Sequence, residues 1–304
     1  MKIKTRRYHI YYWLKILLWL AGCLPRKISL ALATALGNTA FLLIKKYRLT
    51  TIENLNNIFP DTIEKNIETS RKVFINIAKN GAEWIKTRQL PPEKIQRLVS
   101  EVSGLKYLDS ALALKRGAIV LAGHIGNWEL LPMYIWLKGY RGSAIARRLY
   151  FYKYDKLING IRTRFSRYML YRDESPKKFI QVLKRGEILG ILADQDMDST
   201  SGVFVDFLSK PAYTSIAPAK LAIATGAPIV PAFMIRKKND TYKLIIEKPI
   251  FADVQDRSDE EVTRLTQEWS RVVEKCILEF PEQWVWMHKR WKTKVPEERV
   301  LNYN

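Results

Sequence analysis

The chain has 304 residues, of which 47% are hydrophobic and 27% charged, a balance that is typical of globular proteins and excludes a disordered chain. Its 51 Lys and Arg against 30 Asp and Glu give a formal net charge of +21, which favours an acidic partner such as nucleic acid or an anionic lipid surface. The two cysteines, Cys23 and Cys276, lie far apart and lack C-x-x-C spacing. This argues against a disulfide scaffold and a zinc site, and it fits a reducing cytosol.

The N-terminal segment is first basic and then apolar. Four basic residues within the first seven precede an apolar run over residues 10–24, and a second run covers residues 28–44. The first run is shorter than the roughly 20 residues of a spanning helix, and its Trp13 and Trp19 are of a type that favours the lipid headgroup layer. We predict a membrane-anchoring segment over residues 1–45, shallow or hairpin-like, followed by one catalytic domain over residues 46–304.

A signal peptide is the alternative interpretation of this segment. The tetrapeptide from Leu20 to Cys23 has the form of a lipoprotein cleavage box. Cleavage there would leave the second apolar run at the mature N-terminus, so we favour a chain that stays in the cytosol.

Beyond residue 60, helical patterns alternate with short apolar runs typical of strands. Asp61 and Glu64 form a capping pair that predicts the start of a helix, and Ser258 and Glu261 predict the start of the last helix, which carries Cys276 on its apolar face. Strands are predicted at residues 118–122, 143–146, 188–193, 229–235 and 244–247. The alternation predicts an α/β fold with a central, mainly parallel sheet flanked by helices, to which the N-terminal hydrophobic helical membrane anchor is added.

The candidate catalytic residues follow the first of the core strands. His124 comes directly after the strand at residues 118–122, with Gly123 and Gly126 beside it and Glu129 five positions later. Ligands of open α/β sheets bind beyond the carboxyl ends of strands, and a carboxylate can hold one ring nitrogen protonated so that the other acts as a base. We therefore predict that Glu129 orients His124, although a helix-capping histidine with a solvated glutamate is the alternative.

The sequence from His124 to Glu129 resembles the H-x-x-x-x-D/E motif of the glycerolipid acyltransferase superfamily, in its late lipid A acyltransferase branch. Further similar stretches follow the order of that branch over nearly the whole chain. They are Arg48 with residues 54–55 and 59–60, residues 194–196 leading to 202–205, residues 225–228, and residues 281–284 through 289–292.

The resemblance implies direct acyl transfer, in which His124 takes a proton from an acceptor hydroxyl and Glu129 stabilises the imidazolium. It implies no metal or organic cofactor, with acyl carrier protein or acyl-coenzyme A as the acyl co-substrate. The implied acceptor is a membrane glycolipid of the lipid A precursor type, or another glycolipid such as a phosphatidylinositol mannoside. The implied location is the cytoplasmic face of the inner membrane, next to an anionic membrane surface, and no nucleic acid is expected as a partner.

Arginines are expected near a phosphorylated acceptor, because a guanidinium can bind phosphate in bidentate fashion. We rank Arg164 first, then Arg147 and Arg162, and we assign Asp194 and Gln195 of the matched stretches to substrate binding with them. Two departures from the branch affect this ranking. The chain has Arg147-Arg148-Leu149 where the branch usually has Arg-Pro, and it has Arg164-Phe165-Ser166 where the branch often has Arg-Phe-Gly.

The C-terminal stretch from Trp284 to Lys294 combines tryptophans with basic residues. Such a stretch suits a headgroup layer, single-stranded nucleic acid or a packed tryptophan cluster. A nucleic-acid-binding protein and a basic membrane adaptor without activity are therefore the other hypotheses, but neither explains His124 and Glu129.

Overall fold

The fold comes from a computed structural model that describes residues 2–60, 62–164, 168–197 and 200–295, without the side chains of residues 2–5 and 168. Its helices are α1 Lys2–Cys23, α2 Arg26–Leu43, α3 Lys45–Ile58, α4 Ile63–Thr87, α5 Pro92–Gln96, α6 Leu105–Ala113, α7 Leu130–Leu137, α8 Tyr152–Arg162, α9 Pro176–Lys184, α10 Ala217–Thr225 and α11 Asp259–Glu279. Its strands are β1 Val99–Ser103, β2 Ala118–Ala122, β3 Gly142–Ala146, β4 Tyr168–Tyr171, β5 Ile188–Leu192, β6 Gly202–Asp206, β7 Pro211–Ser215, β8 Ile229–Arg236 and β9 Tyr242–Ile246.

Seven of the described strands form one sheet in the order β1-β9-β8-β2-β5-β3-β4. All neighbouring pairs in it are parallel except β8 and β9. The prediction of an α/β fold with a mainly parallel sheet is thus confirmed, and each predicted strand lies within two residues of an observed one. Strands β6 and β7 form a separate antiparallel hairpin.

The two faces of β2 lie in two different hydrophobic clusters. Successive strand side chains point to opposite faces, so Ile119 and Leu121 join the cluster that contains α9, α10 and α11, while Val120 joins the cluster that contains α6 and α7. Parallel strands are covered on both faces by their crossover helices, and this explains the unbroken apolar run of β2. The carboxyl end of β2 is consequently a rigid base for the loop that follows it.

The two predicted helix starts have different outcomes. The Oγ atom of Ser258 accepts a hydrogen bond from the backbone N–H of Glu261 at 3.2 Å, as the capping pattern predicts, and Cys276 is buried on α11. The helix predicted from Asp61 begins at Ile63, and Asp61 itself lies outside the described residues.

Helix α2 packs against α4. Gly37 of α2 lies against the backbone at Ile75 of α4, and the rings of Phe41 and Phe74 meet edge to face at 5.5 Å. Within the described residues, no single helix combines the length and hydropathy needed to cross a membrane. Helices α2 and α3, which meet at an 88° bend, satisfy those criteria when they are taken together.

Candidate active site

The register of the sheet brings His124 and Asp194 together. Strands β2 and β5 are parallel neighbours in which Ala122 pairs with Leu192, so the residues two positions further on leave the sheet side by side. The Nδ1 atom of His124 lies 2.7 Å from Oδ1 of Asp194, and the backbone N–H of His124 donates to Oδ2 at 2.7 Å. The partner of the histidine is therefore a carboxylate from the adjacent strand.

Asp194 is fully buried and remains an acceptor for several donors. Besides the two N–H groups of His124, the indole N–H of Trp284 donates to Oδ2 at 2.8 Å. Burial alone would raise the pKa of Asp194, but the adjacent His124 charge and these donors together hold it well below its usual range. An ionised carboxylate fixes the proton of His124 on Nδ1 and leaves Nε2 as the possible base.

The predicted contact between Glu129 and His124 does not occur, and Asp194 takes that place. Gly126 adopts a left-handed conformation with φ of 59°, and its N–H donates to the carbonyl of Gln283, while the N–H of Asn127 donates to Met234. These bonds keep the chain out of a helix directly after His124, and α7 begins only at Leu130. The two residues of the motif consequently do not share a helix face.

Glu129 instead forms an ion pair with Arg162 at the end of α8. The Nε atom of Arg162 donates to the carboxylate at 2.9 Å, and Nη2 donates to its other oxygen. Burial lowers the pKa of Arg162, but its hydrogen bonds to Glu129 and the negative charges of Glu129 and Asp155 more than compensate, so the net shift is upward. Glu129 therefore orients an arginine, so the structure brings together two sequence-predicted residues in a different pairing.

A cavity of about 1120 Å³ opens beside His124. Its polar lining includes His124, Glu129, Arg162, Arg147 and Gln195. Most of the remaining lining is apolar and comes from the strands and helices around it, including Val120, Met133, Trp136, Ile145, Ile180, Ile188 and Ile191. Its volume exceeds the roughly 300–1,000 Å³ of common ligand pockets, so it can hold both a polar group and a long apolar one.

The three candidate arginines occupy different environments. Arg164 donates from Nη1 to the backbone carbonyls of Thr87 and Leu90, and it does not line the cavity. Arg147 lines the cavity with an exposed side chain, and no hydrogen bond or ion pair joins it to another described residue. Arg147 and Arg162 thus lie at the cavity, whereas Arg164 binds backbone carbonyls at the C-terminal end of α4.

The C-terminal stretch packs inside the protein. Trp284 and Trp286 are fully buried, with ring centroids 4.7 Å apart, so a packed cluster is the correct interpretation for these two residues. The backbone N–H of Val285 donates to the carbonyl of His124 at 3.1 Å. The sequence analysis did not predict the hydrogen bond from Trp284 to Asp194. The position of Trp284 in a stretch similar to the lipid A acyltransferase branch could have indicated a role at the site.

The chain is similar to known bacterial acyltransferases. Residues 1–293 match the family described as bacterial lipid A biosynthesis acyltransferase. The chain is 30% identical over 306 residues to the lipid A biosynthesis lauroyltransferase of Escherichia coli strain K12, with 96% of each chain covered. It is 28% identical to the lipid A biosynthesis myristoyltransferase of that strain, over 90% of this chain and 84% of the relative. A phosphatidylinositol mannoside acyltransferase of Mycobacterium tuberculosis is 28% identical over half of each chain. With a family match over nearly its whole length and a histidine–carboxylate pair at an apolar cavity, the chain belongs to the bacterial lipid A biosynthesis acyltransferase family.

Proposed function

We propose that this protein transfers a fatty acyl chain from an acyl thioester to a hydroxyl group of a lipid A precursor-type glycolipid. The observation that carries the proposal is the His124–Asp194 pair, which borders a large, mainly apolar cavity in a chain of this family. The pair supplies a base, and the apolar lining suits an acyl chain.

The reaction needs a base that later acts as an acid. Nε2 of His124 takes the proton of the acceptor hydroxyl, whose oxygen attacks the thioester carbonyl to form a tetrahedral intermediate. When this intermediate collapses, the carbon–sulfur bond breaks and the imidazolium returns its proton to the departing thiolate. Asp194 stabilises the imidazolium because its buried negative charge lies 2.7 Å from Nδ1.

Arg147 and the Glu129–Arg162 pair suit the polar part of the acceptor. The exposed Arg147 side chain at the cavity can bind a phosphate without breaking an existing ion pair. Arg162 keeps its Nη1 side for a ligand, since Glu129 occupies Nε and Nη2. The net charge of +21 supports an anionic acyl donor, which is either acyl carrier protein or acyl-coenzyme A.

We propose that the protein is bound to the cytoplasmic face of the inner membrane through its N-terminal helices. Trp13, Leu17 and Leu36 are 67%, 58% and 64% exposed, and such an apolar surface beside basic residues favours anionic lipid. The ring of Tyr8 on α1 lies 5.6 Å from that of Phe151, in the segment that follows the cavity residue Leu149. Helix α1 thus contacts a segment next to the cavity, which supports entry of a membrane-bound acceptor from this side.

A radiolabelled acyl-transfer assay with purified lipid acceptor tests the function. His124→Ala should lose roughly 10² to 10⁴ of the turnover, which is the usual worth of general base catalysis. Asp194→Ala should lose a comparable or smaller factor, and the double variant should be little worse than the poorer single variant, because the two residues act as a unit.

Glu129→Ala serves as the comparison in the same assay. It should raise the KM for the acceptor through the loss of Arg162 orientation, and its effect should multiply with that of His124→Ala. Wild-type turnover by a folded His124→Ala variant would overturn the proposed chemistry. Faster transfer to a phosphatidylinositol mannoside than to a lipid A precursor would favour that second acceptor, which the mycobacterial relative supports over half of the chain.

A further inference from the structure

A third polar side chain, Gln195, lies against the His124 ring. Its Nε2 atom is 3.1 Å from Nδ1 and 3.2 Å from Nε2 of His124. A position this close to both nitrogens within the ring plane would overlap the carbon between them, so the amide nitrogen lies over the ring face. The in-plane lone pair of the His124 Nε2 atom therefore stays available to accept a proton.

The shortest of the three contacts of this amide nitrogen is with a second histidine. Nε2 of Gln195 lies 2.6 Å from Nε2 of His288, and the rings of His288 and His124 are 5.4 Å apart. Burial and the neighbouring His124 lower the pKa of His288, which favours a neutral ring. A neutral His288 with its proton on Nδ1 presents Nε2 as the acceptor that an amide N–H requires.

The segment that carries His288 is held from two sides. Nδ2 of Asn54 on α3 donates to the carbonyls of Trp286 and His288 at 2.8 and 3.0 Å. The buried guanidinium of Arg290 donates from Nη1 to the carbonyl of Tyr213 at 2.6 Å. His288 is therefore a fixed support, and it does not belong to the described lining of the cavity, whereas Gln195 does.

We propose that His288 is a positioning residue: its Nε2 accepts a hydrogen bond from Gln195 and holds that amide against the His124 ring. Asp194 fixes the Nδ1 edge of the ring and Gln195 restrains its face, so Nε2 keeps its direction into the cavity. The proposal rests on the proposed acyl transfer, in which His124 is the base. It assigns His288 no contact with substrate.

A double-mutant cycle in the acyl-transfer assay tests this. A misplacement of roughly 1 Å can cost about 10² in rate, so we expect a looser ring in His288→Ala or Gln195→Ala to lower kcat about tenfold. The KM of His288→Ala should stay unchanged, because His288 does not belong to the described lining of the cavity. The double variant should be no slower than the slower single variant. His288→Gln should stay within about threefold of wild type, because its amide oxygen can replace Nε2 as the acceptor. The exposed neighbouring variant Lys289→Ala is the matched control and should retain wild-type kcat.

Three outcomes would overturn the positioning role: wild-type kcat in His288→Ala, losses that multiply in the double variant, or a His288→Gln variant as slow as His288→Ala. If His288→Ala does not fold, His288→Asn takes its place in the cycle, since its shorter side chain cannot reach Gln195.

A nitrogen-15 NMR spectrum of the histidine side chains gives a readout that needs no turnover. At neutral pH we expect His288 as the Nδ1–H tautomer in the wild-type protein, and an Nε2–H tautomer would contradict the proposal. An inactive wild-type protein with the expected tautomer would refute the acyl transfer and leave the Gln195–His288 bond supported. The two failures are thus distinguishable.

Discussion

His124 owes its orientation to a carboxylate that lies 70 positions away in the chain. Asp194 is buried, accepts three N–H groups and approaches so closely that a β-carbon at Gly123 would stand 3.1 Å from its Oδ2. Glu129, five residues beyond the histidine, forms an ion pair with Arg162 instead. The spacing of the H-x-x-x-x-E motif therefore marks two sides of one cavity and not one hydrogen-bonded pair.

At the same scale, we predict that Arg147 binds the acceptor phosphate. Arg147→Ala should raise the KM for a phosphorylated acceptor roughly tenfold or more, because a hydrogen bond to a charged group contributes about 1.5–3 kcal/mol. Arg147→Lys should restore only part of this, since an ammonium lacks the planar fork. Steady-state kinetics with phosphorylated and dephosphorylated acceptor measures the effect, which should vanish for the latter.

Arg148→Ala is the matched control for that experiment. Arg148 is the exposed neighbour, and it pairs with Asp173 and covers the ring of Tyr171. An equal rise in KM for Arg148→Ala would mean that any positive charge in this region attracts the acceptor, and it would contradict a specific phosphate contact of Arg147. Arg164→Ala should lower thermal stability more than it changes KM, because its guanidinium holds the carbonyls of Thr87 and Leu90.

At the scale of elements, the conformation of the segment between β2 and α7 depends on Gly126, which is left-handed. A β-carbon at Gly126 would stand 2.1 Å from the carbonyl oxygen of Met234, in addition to the strain of its φ of 59°. Gly126→Ala should therefore destabilise the protein by about 3 kcal/mol or more and abolish transfer, since strain costs roughly 1–3 kcal/mol and the clash adds to it. Chemical denaturation and the transfer assay measure the two effects.

Gly186→Ala is the control variant, because it introduces backbone strain without a steric clash. Gly186 follows α9 with a φ of 73°, and a β-carbon there would meet no atom within 4 Å. This variant should lose only about 1 kcal/mol and keep its kcat. Equal losses for the two alanine variants would mean that the contact with Met234 does not restrict the catalytic segment.

At the scale of the whole molecule, the exposed apolar surface is concentrated on the N-terminal helices. Trp13, Leu17 and Leu20 lie on one face of α1, at 67%, 58% and 49% exposure. Replacing all three by serine should lower binding to anionic vesicles at least tenfold, because each large apolar side chain contributes about 1.5–3 kcal/mol when fully buried. Cosedimentation with vesicles of phosphatidylglycerol measures this loss.

A triple serine variant of Leu114, Phe251 and Leu278 is the control for that comparison. These residues are 47%, 55% and 51% exposed but lie outside the N-terminal helices. Their replacement should leave vesicle binding unchanged. If both triple variants lose binding equally, hydrophobic adsorption explains the association, and the N-terminal anchor is contradicted.

By itself the sequence determined the alternation of strands and helices, the strand–loop position of His124 and the family resemblance, because periodicity, capping and glycine spacing are local properties. Only the tertiary structure decided which side chains His124, Glu129 and Gln195 contact. Asp194 reaches His124 because β5 lies beside β2, an order that no local pattern encodes. Likewise, Glu129 meets Arg162 and Gln195 meets His288 because the sheet brings distant loops to one edge, where short-range spacing has no influence.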